Sequence, residues 1–379
     1  MAQKKRCNFV IDKLKIGYLQ PSSLFEKLSK FHEKEFVEYE NFALHIIDDG
    51  RGNDKNNKPT QIMANVILAD GTLLGNFIFN NSARYDGMCF FKFANSALYK
   101  PFTTIHGKKN NYITFIDSVA DTLGLTINSF TEIELAADIN FNVIPKIRKL
   151  IKNFAEYDMI YNGKRITDEN RKLDNYHVCF GGSRSKLDRY PTLYFRQKKD
   201  EGLRLKVYDK NEEITDSGKQ YIRDWHQYKG SSLFRIEFTI KWEQFKEWIS
   251  YLQASDCPNQ WKRYIGEKKR EIDPDTTAPI ETIESDPDTT ESHQDYLNRS
   301  LLCLLDLDPY KCLLWRFCAD RVLYFRHRAT KEVVSMLDLT GWSEQATEPR
   351  PSRAIKTRTL TLAELKERLG LPTYNSIGV

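Results

Sequence analysis

Three segments of this chain keep a strict two-residue rhythm, and that rhythm leaves few folds open. In 131–141, Ile133, Leu135 and Ala137 alternate with Glu132, Glu134 and Asp138. In 203–210, Leu203, Leu205 and Val207 alternate with Arg204, Lys206, Tyr208 and Lys210. In 233–241, Phe234, Ile236 and Phe238 alternate with Arg235 and Glu237. Successive side chains of a strand point to opposite faces, so each segment is a strand with one apolar and one charged side. Together they predict an antiparallel sheet with a common apolar underside and one charged surface.

That surface carries chemistry. Tyr208 shares its side with Arg204, Lys206 and Lys210. A phenol among cations is expected to ionise more easily, and a phenolate can attack phosphorus. The carboxylates Glu134, Asp138 and Glu237, set beside Arg204, Lys206, Lys210 and Arg235, suit a hard divalent ion such as Mg²⁺ or Mn²⁺. Such an ion polarises a phosphoryl oxygen. The loop GGSRSK (181–186) adds backbone N–H groups and the cations Arg184 and Lys186, a further phosphate-binding candidate. The plainer alternative is a solvated sheet face laced with cross-strand ion pairs.

Charge and motif searches narrow the classes. The net charge is +5, yet Glu271–Ser292 holds eight acidic residues and no Lys or Arg, so the remainder is strongly basic and fits a polyanionic partner. No apolar run approaches the ~20 residues of a membrane-spanning helix, and the start of the chain has no signal-peptide pattern. The seven cysteines are scattered without a CxxC pair, which reads as reduced thiols in a cytoplasmic protein. No histidine has another two residues away or an arginine three residues on. That excludes the His-x-His nickases and argues against tyrosine recombinases. GxxxxGK[ST] and GxSxG are absent.

The remaining pattern predicts an α+β fold: an antiparallel sheet with helices on one face, then an acidic linker and a small helical C-terminal region. Strands are expected at 9–20, across 42–102, and at 176–180 and 192–196. Helices are expected at 22–32, 114–125, 144–154 and 242–252. The body is drawn at 1–265, the Thr/Pro/acid-rich linker at 266–296 with DPDTT repeated, and the helical region at 297–379. Pro309 is expected to interrupt the helices there, and 361–372 carries a capping box and a Gly-Leu-Pro stop.

The order of the motifs resembles the replication initiation factor family, the Rep-trans type of rolling-circle initiators in plasmids, phages and integrative elements. IELAADINF (133–141) resembles its acidic strand, and TLYF (192–195) followed by LRLKVYDKNEE (203–213) its tyrosine strand. FRIEFTI (234–240) resembles its closing Arg-x-Glu strand. Tyr208, Lys210 and Glu213 form the most specific part. Two departures stand out: RQKKDEG fills the gap where the family commonly has Gly-Ser-Arg, and Glu132 stands where Arg is frequent.

The resemblance covers about residues 130–245, and it implies that the body drawn at 1–265 nicks one strand of double-stranded origin DNA. Tyr208 would stay joined to the 5′-phosphate, leaving a 3′-hydroxyl for a polymerase, and the reverse reaction would rejoin the ends. Glu134, Asp138 and Glu237 would hold the metal and Arg235 would contact phosphate; Lys206, Arg184 and Lys186 join it as phosphate-binding candidates through their charge. A homodimer is implied in the same way, and a host helicase and polymerase stay open as partners. A different class remains open beside it, a non-catalytic, sequence-specific DNA-binding protein of a mobile element. An RNA-binding sheet is disfavoured because few aromatics lie on the charged faces.

Overall fold

The computed structural model describes residues 7–51, 59–82, 85, 87–99, 102–103, 109–110, 112–166, 176–181, 192–197, 203–226, 232–254, 302, 305 and 308–341. The predicted acidic linker, the loop bearing Arg184 and Lys186, and the predicted helix 361–372 lie outside these residues.

The strands are β1 (Cys7–Leu19), β2 (Phe36–Glu38), β3 (Phe42–Asp48), β4 (Gln61–Leu68), β5 (Leu73–Asn80), β6 (Met88–Phe93), β7 (Phe102–Thr103), β8 (Lys109–Asn110), β9 (Thr126–Ile139), β10 (Tyr157–Tyr161), β11 (Lys164–Ile166), β12 (Tyr176–Gly181), β13 (Thr192–Gln197), β14 (Arg204–Asp209), β15 (Phe234–Lys241), β16 (Leu323–His327) and β17 (Val333–Ser335). The helices are α1 (Ser22–Leu28), α2 (Asn95–Tyr99), α3 (Tyr112–Leu123), α4 (Ile144–Lys152), α5 (Lys210–Ser217), α6 (Tyr221–His226), α7 (Trp242–Ala254), α8 (Asp308–Val322) and α9 (Met336–Leu339).

Eleven strands form one sheet in the order β12-β13-β14-β15-β9-β1-β6-β5-β4-β3-β2, with neighbours antiparallel. The three alternating segments are therefore adjacent strands, β14, β15 and β9, as their shared pattern predicts. Their apolar residues Leu205, Val207, Ile236, Phe238, Ile133 and Leu135 are all buried in one core. Helices α3, α4, α7 and α8 cover that face through residues such as Ile116, Ile147, Phe245, Trp248 and Trp315. Burying a large apolar side chain of this kind stabilises by roughly 1.5–3 kcal/mol. On the opposite, charged face, the short helices α2, α5 and α6 close one end, where Tyr99, Ile214 and Ile222 meet Val10, Ala136 and Leu233.

Gly75 in β5 marks a close approach. A Cβ there would fall 2.3 Å from the Lys92 carbonyl oxygen and 2.6 Å from the Phe91 ring. Its absence lets β5 and β6 pair beneath Phe77, which stacks on Phe79 and meets Phe91 at a tilt.

The described residues 308–341 differ in part from their sequence reading as a helical region. Pro309 lies in the first turn of α8, where its missing N–H costs no helical hydrogen bond. Leu323–His327 and Val333–Ser335 are strands, because β10 offers an edge to pair with. They build a second sheet, β11-β10-β16-β17. Helix α8 seats Trp315 between Phe9 of β1 and Phe238 of β15 (ring centroids 5.4 and 5.1 Å), so this segment packs into the main core. Among the described residues, no helix is long and apolar enough to cross a membrane.

Candidate active site

The charged face is organised by strand register. Lys206 pairs directly with Glu237, Tyr208 with Arg235, and Arg235 with Asp138 on the far side of β15. The Tyr208 hydroxyl donates to Glu237 Oε2 at 2.9 Å, and Lys206 Nζ donates to Glu237 Oε1 at 2.7 Å. Arg204 shares the Tyr208 side of β14, half-buried and opposite Thr239.

Lys210 leaves the strand. Asp209 caps α5 by accepting from the Asn211 N–H, so the chain turns into a helix at Lys210. That turn buries the Lys210 side chain completely, with its ammonium 2.6 Å from Glu213, 3.8 Å from Asp12 and 3.5 Å from the Tyr208 hydroxyl. Burial, followed by the charge of Arg235, pulls its pKa below the ordinary lysine value. Glu213 takes a second cation, Lys219, at 3.3 Å.

Asp12 is a residue the alternation hides. β1 carries a bulge between Ile11 and Lys13: Ile11 pairs with Leu135 and Lys13 with the next residue, Glu134. The extra residue is Asp12. A bulge re-aims a side chain, and here Asp12 joins Glu134 and Glu237, with one oxygen of each within 4.8 Å of the others. The signal was present in FVIDKLKIGY, where the adjacent polar pair Asp12-Lys13 breaks the period of two.

Asp138 goes elsewhere. The sequence groups it with Glu134 and Glu237, but its oxygens receive Arg235 Nε and Nη2 (both 2.6 Å) and His226 Nε2 (2.5 Å). Arg235 is likewise fully buried. It pairs with Asp138, reaches the Tyr99 hydroxyl at 2.8 Å and forms an ion pair with Asp12. A phosphate would have to displace a carboxylate to reach it.

The electrostatics also correct one expectation. The cations do not make Tyr208 easier to ionise: burial, and then the charge of Glu237, push its pKa well above the ordinary tyrosine value. Burial raises Asp12 as well, but Arg235 and Lys210 outweigh it and hold that carboxyl well below its usual range. Glu134 is pushed up by burial and by Glu237. Three oxygen donors at this spacing, one of them already resisting ionisation beside its neighbour, are a donor set that fits a hard divalent cation. Lys206, 2.7 Å from Glu237 and 3.6 Å from Glu134, supplies positive charge at the edge of the cluster. Burial lowers the Lys206 pKa and both carboxylates raise it, with a net rise.

No family model matches the chain. No curated protein matches it either. Among solved structures it is similar in part to the rolling circle replication initiator protein from Geobacillus stearothermophilus, at 11% identity and a TM-score of 0.33, over 62% of this chain and 75% of that one. A likeness of that size says nothing about function.

Proposed function

We propose that this chain is a rolling-circle DNA replication initiator that nicks and rejoins origin DNA, with Tyr208 as nucleophile. The observation that carries the reading is the hydrogen bond from the Tyr208 hydroxyl to Glu237 Oε2, made at the edge of the Asp12–Glu134–Glu237 carboxylate cluster. The motif order resembling the Rep-trans initiators supports the same chemistry.

A buried phenol with a raised pKa needs a base, and Glu237 already accepts its hydrogen bond. As that proton moves to Glu237, the phenolic oxygen bonds to phosphorus and the bond to the 3′-oxygen of the preceding nucleotide breaks. The 5′-phosphate is left on Tyr208, and the 3′-oxygen takes up a proton from water as it leaves, ending as a hydroxyl while Glu237 gives its own proton back to solvent. Attack by that hydroxyl on the phosphotyrosine reseals the strand and returns the proton to the phenol. Lys206 and Lys210 hold positive charge on either side of the phenol, where the phosphate would sit. Asp12, Glu134 and Glu237 would hold Mg²⁺ or Mn²⁺, which when bound supplies charge stabilisation of a phosphoryl oxygen.

Tyr208→Phe tests the reading on supercoiled DNA carrying the protein's own gene. The variant should bind DNA as before but give neither nicked circles nor a denaturant-resistant protein–DNA adduct. Nicking by the Phe variant would overturn the proposal, and a wild-type protein that binds without ever forming the adduct would point to the non-catalytic DNA-binding class.

A further inference from the structure

A chain of buried polar groups leads away from the carboxylate cluster, and the nicking chemistry makes no use of it. Asn8 on β1 and Asp138 on β9 are direct cross-strand partners. His226, the last residue of α6, is fully buried over them. The Asn8 side-chain amide donates to His226 Nδ1 at 3.0 Å, which leaves the ring proton on Nε2, facing Asp138 Oδ2 at 2.5 Å. Asp138 in turn grips Arg235 through two bonds of 2.6 Å. The remaining guanidinium nitrogen, Nη1, makes an ion pair with Asp12, the bulge residue, outside hydrogen-bond geometry, and lies 3.8 Å from Glu237. Tyr99 closes the arrangement: its hydroxyl donates to Asp12 Oδ1 at 2.6 Å and accepts from Arg235 Nη2 at 2.8 Å.

Each link has a partner on both sides, so the orientation of Asp12 is set by residues up to four groups away. A bulge residue needs such a hold. It lacks the ladder pairing that fixes its neighbours, and a carboxylate left free to rotate would present its oxygen to Glu134 and Glu237 only part of the time.

We propose that Asn8, His226, Asp138 and Arg235 are positioning residues that lock the Asp12 carboxylate toward Glu134 and Glu237, preparing the cluster for a divalent cation. The inference rests on the metal-holding role assigned to that cluster above. Residues behind metal ligands typically govern affinity, their loss costing roughly 10–100-fold. The chain also gives Arg235 a role other than phosphate contact.

The test is Mn²⁺ binding to the full-length protein without DNA, followed by titration calorimetry or the loss of the free Mn²⁺ electron paramagnetic resonance signal. His226→Leu should weaken binding roughly tenfold or more. His226→Gln keeps an N–H for Asp138 and should bind close to wild type. In the nicking assay, His226→Leu should need proportionally more Mn²⁺ and recover most of its rate at saturation. A purely structural role would instead lower the rate at every concentration and give no rescue by Gln. If His226→Leu does not fold, Asn8→Ala, at the half-buried end of the chain, replaces it and should show the same direction with a smaller shift. Variants that fold and bind Mn²⁺ like wild type overturn the positioning role. Wild-type protein that binds no Mn²⁺ overturns the metal-holding role and the positioning role with it, while leaving the Tyr208 adduct as a separate result.

Discussion

Tyr208 and Glu237 meet on a diagonal: the direct partner of Tyr208 across β14–β15 is Arg235, and the phenol leans two residues along to donate to Glu237 Oε2 at 2.9 Å. Diagonal neighbours in an antiparallel pair lie within reach of long or aromatic side chains. The register of two strands therefore aligns the proposed nucleophile with its proton acceptor, and Lys206 occupies the other carboxylate oxygen.

Glu237→Gln removes the acceptor with almost no change in shape. Nicking should slow by about 10²–10⁴-fold, the usual contribution of a positioned base, while DNA affinity holds. Single-turnover cleavage and a filter-binding isotherm on the same oligonucleotide check both halves. A rate within a few-fold of wild type would remove Glu237 from the proton transfer.

Arg235→Met should destabilise the fold by roughly 3–5 kcal/mol, because it strands the buried Asp138 carboxylate without its arginine and leaves Lys210 as the cation beside Asp12. Arg235→Lys should rescue little, since an ammonium cannot reproduce the two parallel bonds to Asp138. Urea denaturation of the variants measures this directly.

Stability should fall in acid. Burial raises the Asp138 pKa, but the Arg235 charge and the bonds from Arg235 and His226 outweigh it and hold the carboxyl well below its ordinary value. Glu132 is lowered to about 2: burial opposes, and Lys13 and Lys241 prevail. A carboxyl with a depressed folded pKa contributes stability that is complete above its unfolded value of about 4 and is lost as pH falls through the folded one. Unfolding free energy should therefore be insensitive to these groups near neutrality and decline below about pH 4. Asp138→Asn should lower the neutral value and flatten the decline, which denaturation curves across the pH range would show.

Trp315→Ala should cost about 3–5 kcal/mol, as expected for deleting a fully buried indole. Thermal unfolding of the full chain should show the loss in the main transition, because the ring touches Phe9 and Phe238 of the central sheet. An unchanged main transition accompanied by a separate early one would mean that α8 melts alone.

The parts legible in the sequence were those governed by period. Residues 203–210, 131–141 and 233–241 declared both their faces, and the structure makes them neighbours in one sheet. Tyr208, Lys206 and Glu237 followed from face membership alone. Asp12 did not, because a bulge shifts the phase and strict alternation assigns its side chain to the face of Leu14 and Ile16. Asp138 was placed on the correct face with the wrong partners, since alternation gives the side of a strand but not which of two neighbouring groups a carboxylate selects. His226 and Tyr99 come from short helices remote in sequence, so only tertiary packing brings them to the site. The hairpin β10–β11 carries its own sequence signal: Asn162-Gly163, both with positive φ, the turn that two-residue hairpins favour.

The sheet order has a consequence for synthesis. β1 is made first, yet it sits in the middle, between β9 and β6, and its Asp12 meets Glu134, Lys210 and Glu237 only after most of the sheet has been translated. Contacts of such long sequence separation form late and slowly. A nascent chain that has emerged only as far as β14 would carry Tyr208 without its proton acceptor. On this topology the proposed nucleophile and its acceptor come together only when β15 completes the sheet.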